Sequence, residues 1–204
     1  MRIYLIRHGE TVFNANRTIQ FPDTPLSERG LDQASRVAER LREMPLCAIL
    51  SSDYARAYAT AQAVHAATGA PLHVRESLRE RHLGDHRGIP FAQLGVDVFA
   101  ADHHPPNGES WPQFHTRVER AWGEVCDFAR DAQGDFAVVS HALVCRALVD
   151  RCVPVPEHLR QSEIRFGNTA LTCIDGPPWQ VSLLACCAHL PAEQITYPNH
   201  PPGR

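Results

Sequence analysis

Short apolar runs alternate along this chain with longer segments of helical period. Ile3 to Ile6, Leu46 to Leu50, Phe136 to Val139, Leu171 to Ile174 and Val181 to Ala185 each have about the length of one buried strand. Between the first two runs, Leu31, Ala34, Val37, Ala38 and Leu41 recur at helical spacing, with Ser27 as N-cap and Pro45 as stop. Tyr54, Ala57, Tyr58, Ala61 and Val64 repeat that pattern over residues 53–67. The longest helix is predicted from Trp111 to Ala132, its apolar face carried by Phe114, Val118, Ala121, Trp122, Val125 and Phe128, and a shorter one from Leu143 to Val149. Strands alternating with helices predict an α/β fold of three α/β/α layers around a mainly parallel central sheet.

Residues 84–110 break the pattern. They hold Gly, Pro and His with weak periodicity, and predict a long surface excursion that selects substrate. No internal repeat or compositional linker marks a boundary, so one domain is expected over residues 1–190. A tail over 191–204, with Pro191, Pro198, Pro201, Pro202 and Gly203, is expected to lie across the surface or be disordered.

A chain of 204 residues with 44% hydrophobic and 21% charged positions suits a single globular domain. Its formal net charge of −3 gives no global basic field, so neither nucleic acid nor an anionic membrane is an expected partner. Met1 to Arg7 offers too few apolar residues for a signal peptide, and Val181 to Ala188 is too short for a membrane span. The seven Cys form no C-x-x-C pair and sit mostly in apolar runs, which favours reduced core thiols in a cytoplasmic protein. All basic residues are Arg, so Schiff-base and Walker-type lysine chemistry are excluded.

The chemistry gathers at strand ends. The first strand runs into Arg7-His8-Gly9-Glu10-Thr11, the second into Ser51-Ser52-Asp53 with Arg56 just beyond, and the third into Ser140-His141. Open α/β sheets bind ligands at the carboxyl ends of their parallel strands, so Arg7, His8, Arg56 and His141 are expected to converge. Two guanidiniums and two imidazoles suit a dianion, since Arg grips phosphate oxygens with a planar fork. An imidazole beside those cations stays neutral and can attack phosphorus to form a phosphohistidine. A carboxylic acid must then protonate the leaving oxygen, and Glu80 is the candidate.

At these residues the chain resembles the histidine phosphatase superfamily, the phosphoglycerate-mutase-like group. Arg7-His8-Gly9-Glu10-Thr11 with Asn14 matches its opening motif. Further matches follow in order: Asp23-Thr24-Pro25-Leu26-Ser27; Ser51-Ser52-Asp53 with Arg56; Leu78-Arg79-Glu80 with Gly84 and Gly88; Pro106-Asn107-Gly108-Glu109-Ser110; and Val139-Ser140-His141. The resemblance implies that His8 is the phosphorylated nucleophile, that Arg7, Arg56 and His141 hold the phosphoryl group, and that Glu80 is the acid and base. It also implies substrate contacts from Asn14, Glu109 and Ser110, no metal or other cofactor, and a small phosphorylated metabolite as partner. Departures occur at Ala142, where the family often has Gly, at Asp85-His86-Arg87, where it often has an aromatic residue, and in Gln20-Phe21-Pro22-Asp23.

The family holds both phosphatases and mutases. About 60 residues separate Glu80 from His141, short of the insertion that in mutases of this family shields the phosphoenzyme from water, so a phosphomonoesterase is favoured over a phosphoglycerate mutase. A phosphate-binding protein without turnover is a third reading, although no catalytic residue is missing. His82 and His86 with His103-His104 are a weaker alternative as zinc ligands, disfavoured by Gly84 and Pro105. Phe91, Phe99 and Trp111 either line an apolar pocket or cap the helix beneath. The strand edge near residues 181–187 is a candidate surface for pairing two copies into a homodimer.

Overall fold

The computed structural model describes residues 1–160 and 164–196. Six strands form one sheet: β1 (Arg2–Arg7), β2 (Ala48–Ser51), β3 (Leu72–Val74), β4 (Phe136–Ser140), β5 (Leu171–Asp175) and β6 (Gln180–Cys186). Their order is β3-β2-β4-β1-β5-β6. The pairs β3/β2, β2/β4 and β4/β1 are parallel, whereas β5 and β6 add as an antiparallel hairpin beside β1. The helices are α1 (Val12–Ala15), α2 (Glu28–Leu41), α3 (Ala55–Thr68), α4 (Trp111–Asp131) and α5 (Ala142–Arg151).

The near-continuous apolar character of the central strands follows from burial of both sheet faces. On one face Ile3, Leu5 and Val138 pack against Phe114 and Val118 of α4 and Val144 and Leu148 of α5. On the other, Tyr4, Ile6 and Ile49 meet Val37 and Leu41 of α2 and Ala57, Ala61 and Val64 of α3. Alternate residues of each strand thus feed opposite layers.

The expected α/β layering holds, with two additions. Strand β3 is short, lies at the sheet edge and leaves His73 and Val74 exposed, so it lacks the apolar run of a buried strand. Helix α1 spans one turn and buries nothing; it forms because Thr11 and Asn14 close a capping box at its start. At residues 191–196 the chain lies against the body of the domain, where Gln33 Nε2 donates to Gln194 O at 2.9 Å and Thr196 Oγ1 to Asn168 Oδ1 at 2.9 Å. The rest of the expected tail, 197–204, falls outside the described residues.

Candidate active site

Parallel pairing aligns the three polar strand ends. Arg7 is in register with Ser140, Ser51 with Val139, and the turns beyond are joined by His8 N to Ser140 O and Ser52 N to Val139 O, both 3.0 Å. His8, Ser52 and His141 therefore leave the sheet side by side. The chain after β1 is pressed against the start of α2 so closely that a Cβ at Gly30 would stand 1.9 Å from Glu10 O, which is why that position takes glycine.

His8 is 2% exposed, and its Nδ1 lies 2.6 Å from Gly9 O. That contact places the ring N–H on Nδ1 and the lone pair on Nε2. Arg56 Nε donates to the same Nε2 at 3.3 Å, which fits only this tautomer. Burial, then the charges of Arg56 and Arg7, push the His8 pKa well below the usual imidazole range. The ring is neutral, with its nucleophilic nitrogen facing a guanidinium.

His141 is fully buried, its ring centre 5.1 Å from that of His8. Its Nε2 meets Ser52 Oγ at 2.9 Å, while its Nδ1 and the Nε of Arg7 lack a protein partner among the described residues. Burial chiefly, and then Arg56, depress the His141 pKa strongly. Arg7 donates to Phe166 O at 2.7 Å and Arg56 to Phe21 O at 2.9 Å; burial lowers both guanidiniums to about 10, leaving them charged at neutral pH. Buried donors without partners beside two unneutralised cations form a cradle for an anion.

Glu80 is open to this cavity on one side. Its Oε1 accepts from Arg81 N at 3.1 Å and its Oε2 from Leu143 N at 3.2 Å, at the start of α5. The surrounding protein raises its pKa, against the opposing pull of those amides and of Arg56 and Arg7. Asn14, which lines the cavity, uses Oδ1 to accept from Thr11 N and, at 3.4 Å, from Asn168 Nδ2.

The cavity has a volume of about 360 Å³ and brings together Arg7, His8, Asn14, Arg56 and Glu80; His141 does not itself line it but lies against His8, the two rings tilted at 60°. Ile19, Leu83, Phe91 and Phe99, which pack together, line it as well, along with Phe13, Arg17 and Arg87. Glu109 and Ser110, expected to contact substrate, are not among the lining residues. Ser110 caps α4, accepting from Gln113 N, and Glu109 forms a two-pronged ion pair with Arg117. Trp111 also turns away, its ring beneath the Arg81 guanidinium at 3.9 Å. Of the histidines weighed as zinc ligands, His86 and His103 meet, stacked with their Nε2 atoms 3.3 Å apart, whereas His82 Nδ1 accepts from Gly84 N. Among the described residues no three His, Cys, Asp or Glu side chains gather as a metal site.

Sequence reasoning missed three contributors. Ser52 lay inside a quoted motif, but nothing in the spacing showed that it meets His141. Tyr54 packs its ring edge against His141 and holds Arg87 through its hydroxyl at 3.1 Å. Asn168 carried no motif at all, yet its Nδ2 donates to His8 O at 3.1 Å across the whole chain length.

Known proteins match this chain over most of their length. The chain is 31% identical over 201 residues to phosphoglycerate mutase-like protein 4 of Arabidopsis thaliana, covering 92% of this chain and 86% of that one. A mycobacterial glucosyl-3-phosphoglycerate phosphatase superposes with a TM-score of 0.74 at 29% identity, covering 89% of this chain and 96% of the other. The alpha-ribazole phosphatase of Shigella flexneri does so with a TM-score of 0.76 at 28% identity, covering 91% and 96%. The match of residues 3–187 to a family profile takes in every strand-end residue of the cradle, and by it the chain belongs to the histidine phosphatase superfamily (branch 1).

Proposed function

We propose that this protein is a metal-independent phosphomonoester hydrolase acting on a small phosphorylated metabolite. The observation that carries the reading is the unprotonated Nε2 of His8, held at 3.3 Å by Arg56 in a cavity that also contains the half-buried Glu80 carboxyl with its raised pKa. His8 Nε2 attacks phosphorus, the bond to the leaving oxygen breaks, and the Glu80 carboxylic acid gives that oxygen its proton. Arg7, Arg56, Asn14 and His141 hold the phosphoryl oxygens, stabilising charge without needing a metal. The Glu80 carboxylate then takes a proton from water, the water oxygen attacks phosphorus, and the P–N bond breaks to free phosphate and neutral His8.

The glucosyl-3-phosphoglycerate and alpha-ribazole phosphatases among the structural neighbours favour hydrolysis, while the name of the Arabidopsis relative keeps a mutase as the second reading. Phosphate release from a panel of phosphomonoesters in EDTA, with His8→Ala as control, separates them. Release that depends on His8, with phosphate trapped on that residue in acid-labile form, supports the hydrolase. Transfer between phosphoglycerate positions without release identifies the mutase. Undiminished release by His8→Ala overturns the covalent mechanism.

A further inference from the structure

Beyond the phosphoryl cradle the same cavity has a second composition. Phe91 and Phe99 lie stacked, with ring centres 5.9 Å apart, and with Phe13, Ile19 and Leu83 they give the outer chamber an apolar wall. Two guanidiniums, Arg17 and Arg87, also line it. Neither has a carboxylate partner among the described residues, whereas arginines elsewhere on the surface commonly pair, as Arg36 does with Asp32 and Arg151 with Glu119.

Both stand on backbone that is held in place, Arg17 exposed and Arg87 half-buried. Arg17 adopts a left-handed backbone at φ 54, a conformation costly for a residue with a side chain, and is locked there because Phe91 N donates to its carbonyl at 2.9 Å. Ile19 N to Ile89 O and Gly88 N to Ile19 O continue that pairing, so the segments bearing Arg17 and Arg87 are fastened together. Arg87 is fixed from the other side by Tyr54, and its charge adds to that felt by Arg56. Two like charges thus share an apolar-walled cavity without an ion-pair partner among the described residues, since of the carboxylates lining it Glu80 accepts from backbone amides and Glu10 lies near Arg29, and a ligand group of opposite sign is the natural complement.

We propose that the substrate is a phosphomonoester whose leaving group has an aromatic or similarly flat apolar body and carries a second anionic group, bound by Arg17 and Arg87. This rests on the hydrolase reading and narrows its substrate class. The carboxyphenyl phosphates and the matching neutral carbamoylphenyl phosphates are the probes, with the three ring positions covering the reach from phosphorus to the arginines.

The wild-type protein is expected to show kcat/KM at least about tenfold higher for one carboxylate isomer than for its amide, mostly through KM, and this advantage shrinks with added salt. Arg17→Gln and Arg87→Gln each reduce the ratio, and the double variant brings it close to one. A wild-type ratio near one, or a ratio the double variant retains, overturns the proposal. If no ester is hydrolysed, the hydrolase reading fails by itself. The second-anion site is then decided by binding to His8→Ala: tighter binding of the carboxylate ester supports it, and equal affinity for the two esters overturns it.

Discussion

Arg117 holds the backbone that presents Glu80. From α4 its Nη1 donates to Ser77 O at 2.9 Å and Arg79 O at 2.7 Å, and its Nη2 reaches Glu80 O at 3.4 Å. Glu109 keeps that guanidinium in place through two contacts at 2.9 and 2.8 Å, with both side chains largely buried. Glu109, expected to touch substrate, thus stands two contacts from Glu80, through Arg117. Glu109→Gln should destabilise the fold by about 2 kcal/mol, since it leaves a largely buried charge without its partner. It should also lower kcat more than it raises KM and move the basic limb of the pH profile, because Glu80 loses its support. Stability loss with kcat and pH profile unchanged would assign Glu109 a purely structural part.

Arg81 ties the 84–110 excursion to the domain. It is 3% exposed, and donates to Glu109 O, Val98 O and His103 O at 3.0, 2.9 and 2.8 Å while lying over Trp111. Arg81→Met keeps the apolar stem but strands three carbonyls, so a loss of about 3 kcal/mol is expected from thermal unfolding. The excursion should become open to limited proteolysis in that variant. Arg81→Lys should recover only part of the stability, because an ammonium cannot match the planar fork.

The layered fold and the four strand-end residues were legible because both rest on short-range patterns: apolar runs of strand length, and polar residues just past them. What escaped the sequence depends on contacts between distant segments. Asn168 meets His8 and Asn14 only because β5 runs antiparallel beside β1. The Arg117 pairing of Glu109 was hidden for a different reason, since a polar loop residue before a helix looks the same whether it faces a ligand or an arginine from the following turns. Strand β3 escaped because an exposed edge needs no apolar run.

Asn168→Ala tests that long-range link. The amide donates to His8 O at 3.1 Å and accepts from Thr196 Oγ1 at 2.9 Å, and it is 1% exposed. Its removal should cost about 1–3 kcal/mol of stability and loosen both the nucleophile's backbone and Asn14. A fall in kcat beyond that of Asn14→Ala would show that the contact to His8, and not the one to Asn14, is the consequential one. Equal kinetics in the two variants would reverse that assignment.

The buried titrating groups predict opposite signs for activity and stability in acid. The proposed mechanism requires a free enzyme with His8 neutral and Glu80 protonated. Since the His8 pKa lies well below 6.5 and that of Glu80 above 4.5, kcat/KM should hold on the acid side and fall as pH rises through the Glu80 value. Stability behaves otherwise. His8 and His141 have folded values below their unfolded 6.5, so the stability they contribute is present above that pH and is lost as pH falls toward the folded values. His189, lowered to about 4 by burial, adds in the same direction. Glu80 opposes them, because a raised carboxyl contributes stability below 4.5 that is lost as pH climbs through its folded value. Three imidazoles outweigh one carboxyl, so Tm should drop between pH 6.5 and 5, at about 1.4 kcal/mol per proton taken up on unfolding and per pH unit. His141→Asn should flatten that slope in a pH series of thermal melts. An unchanged slope would mean that His141 is already charged in the folded protein and cannot leave the cradle free for the phosphoryl group as described.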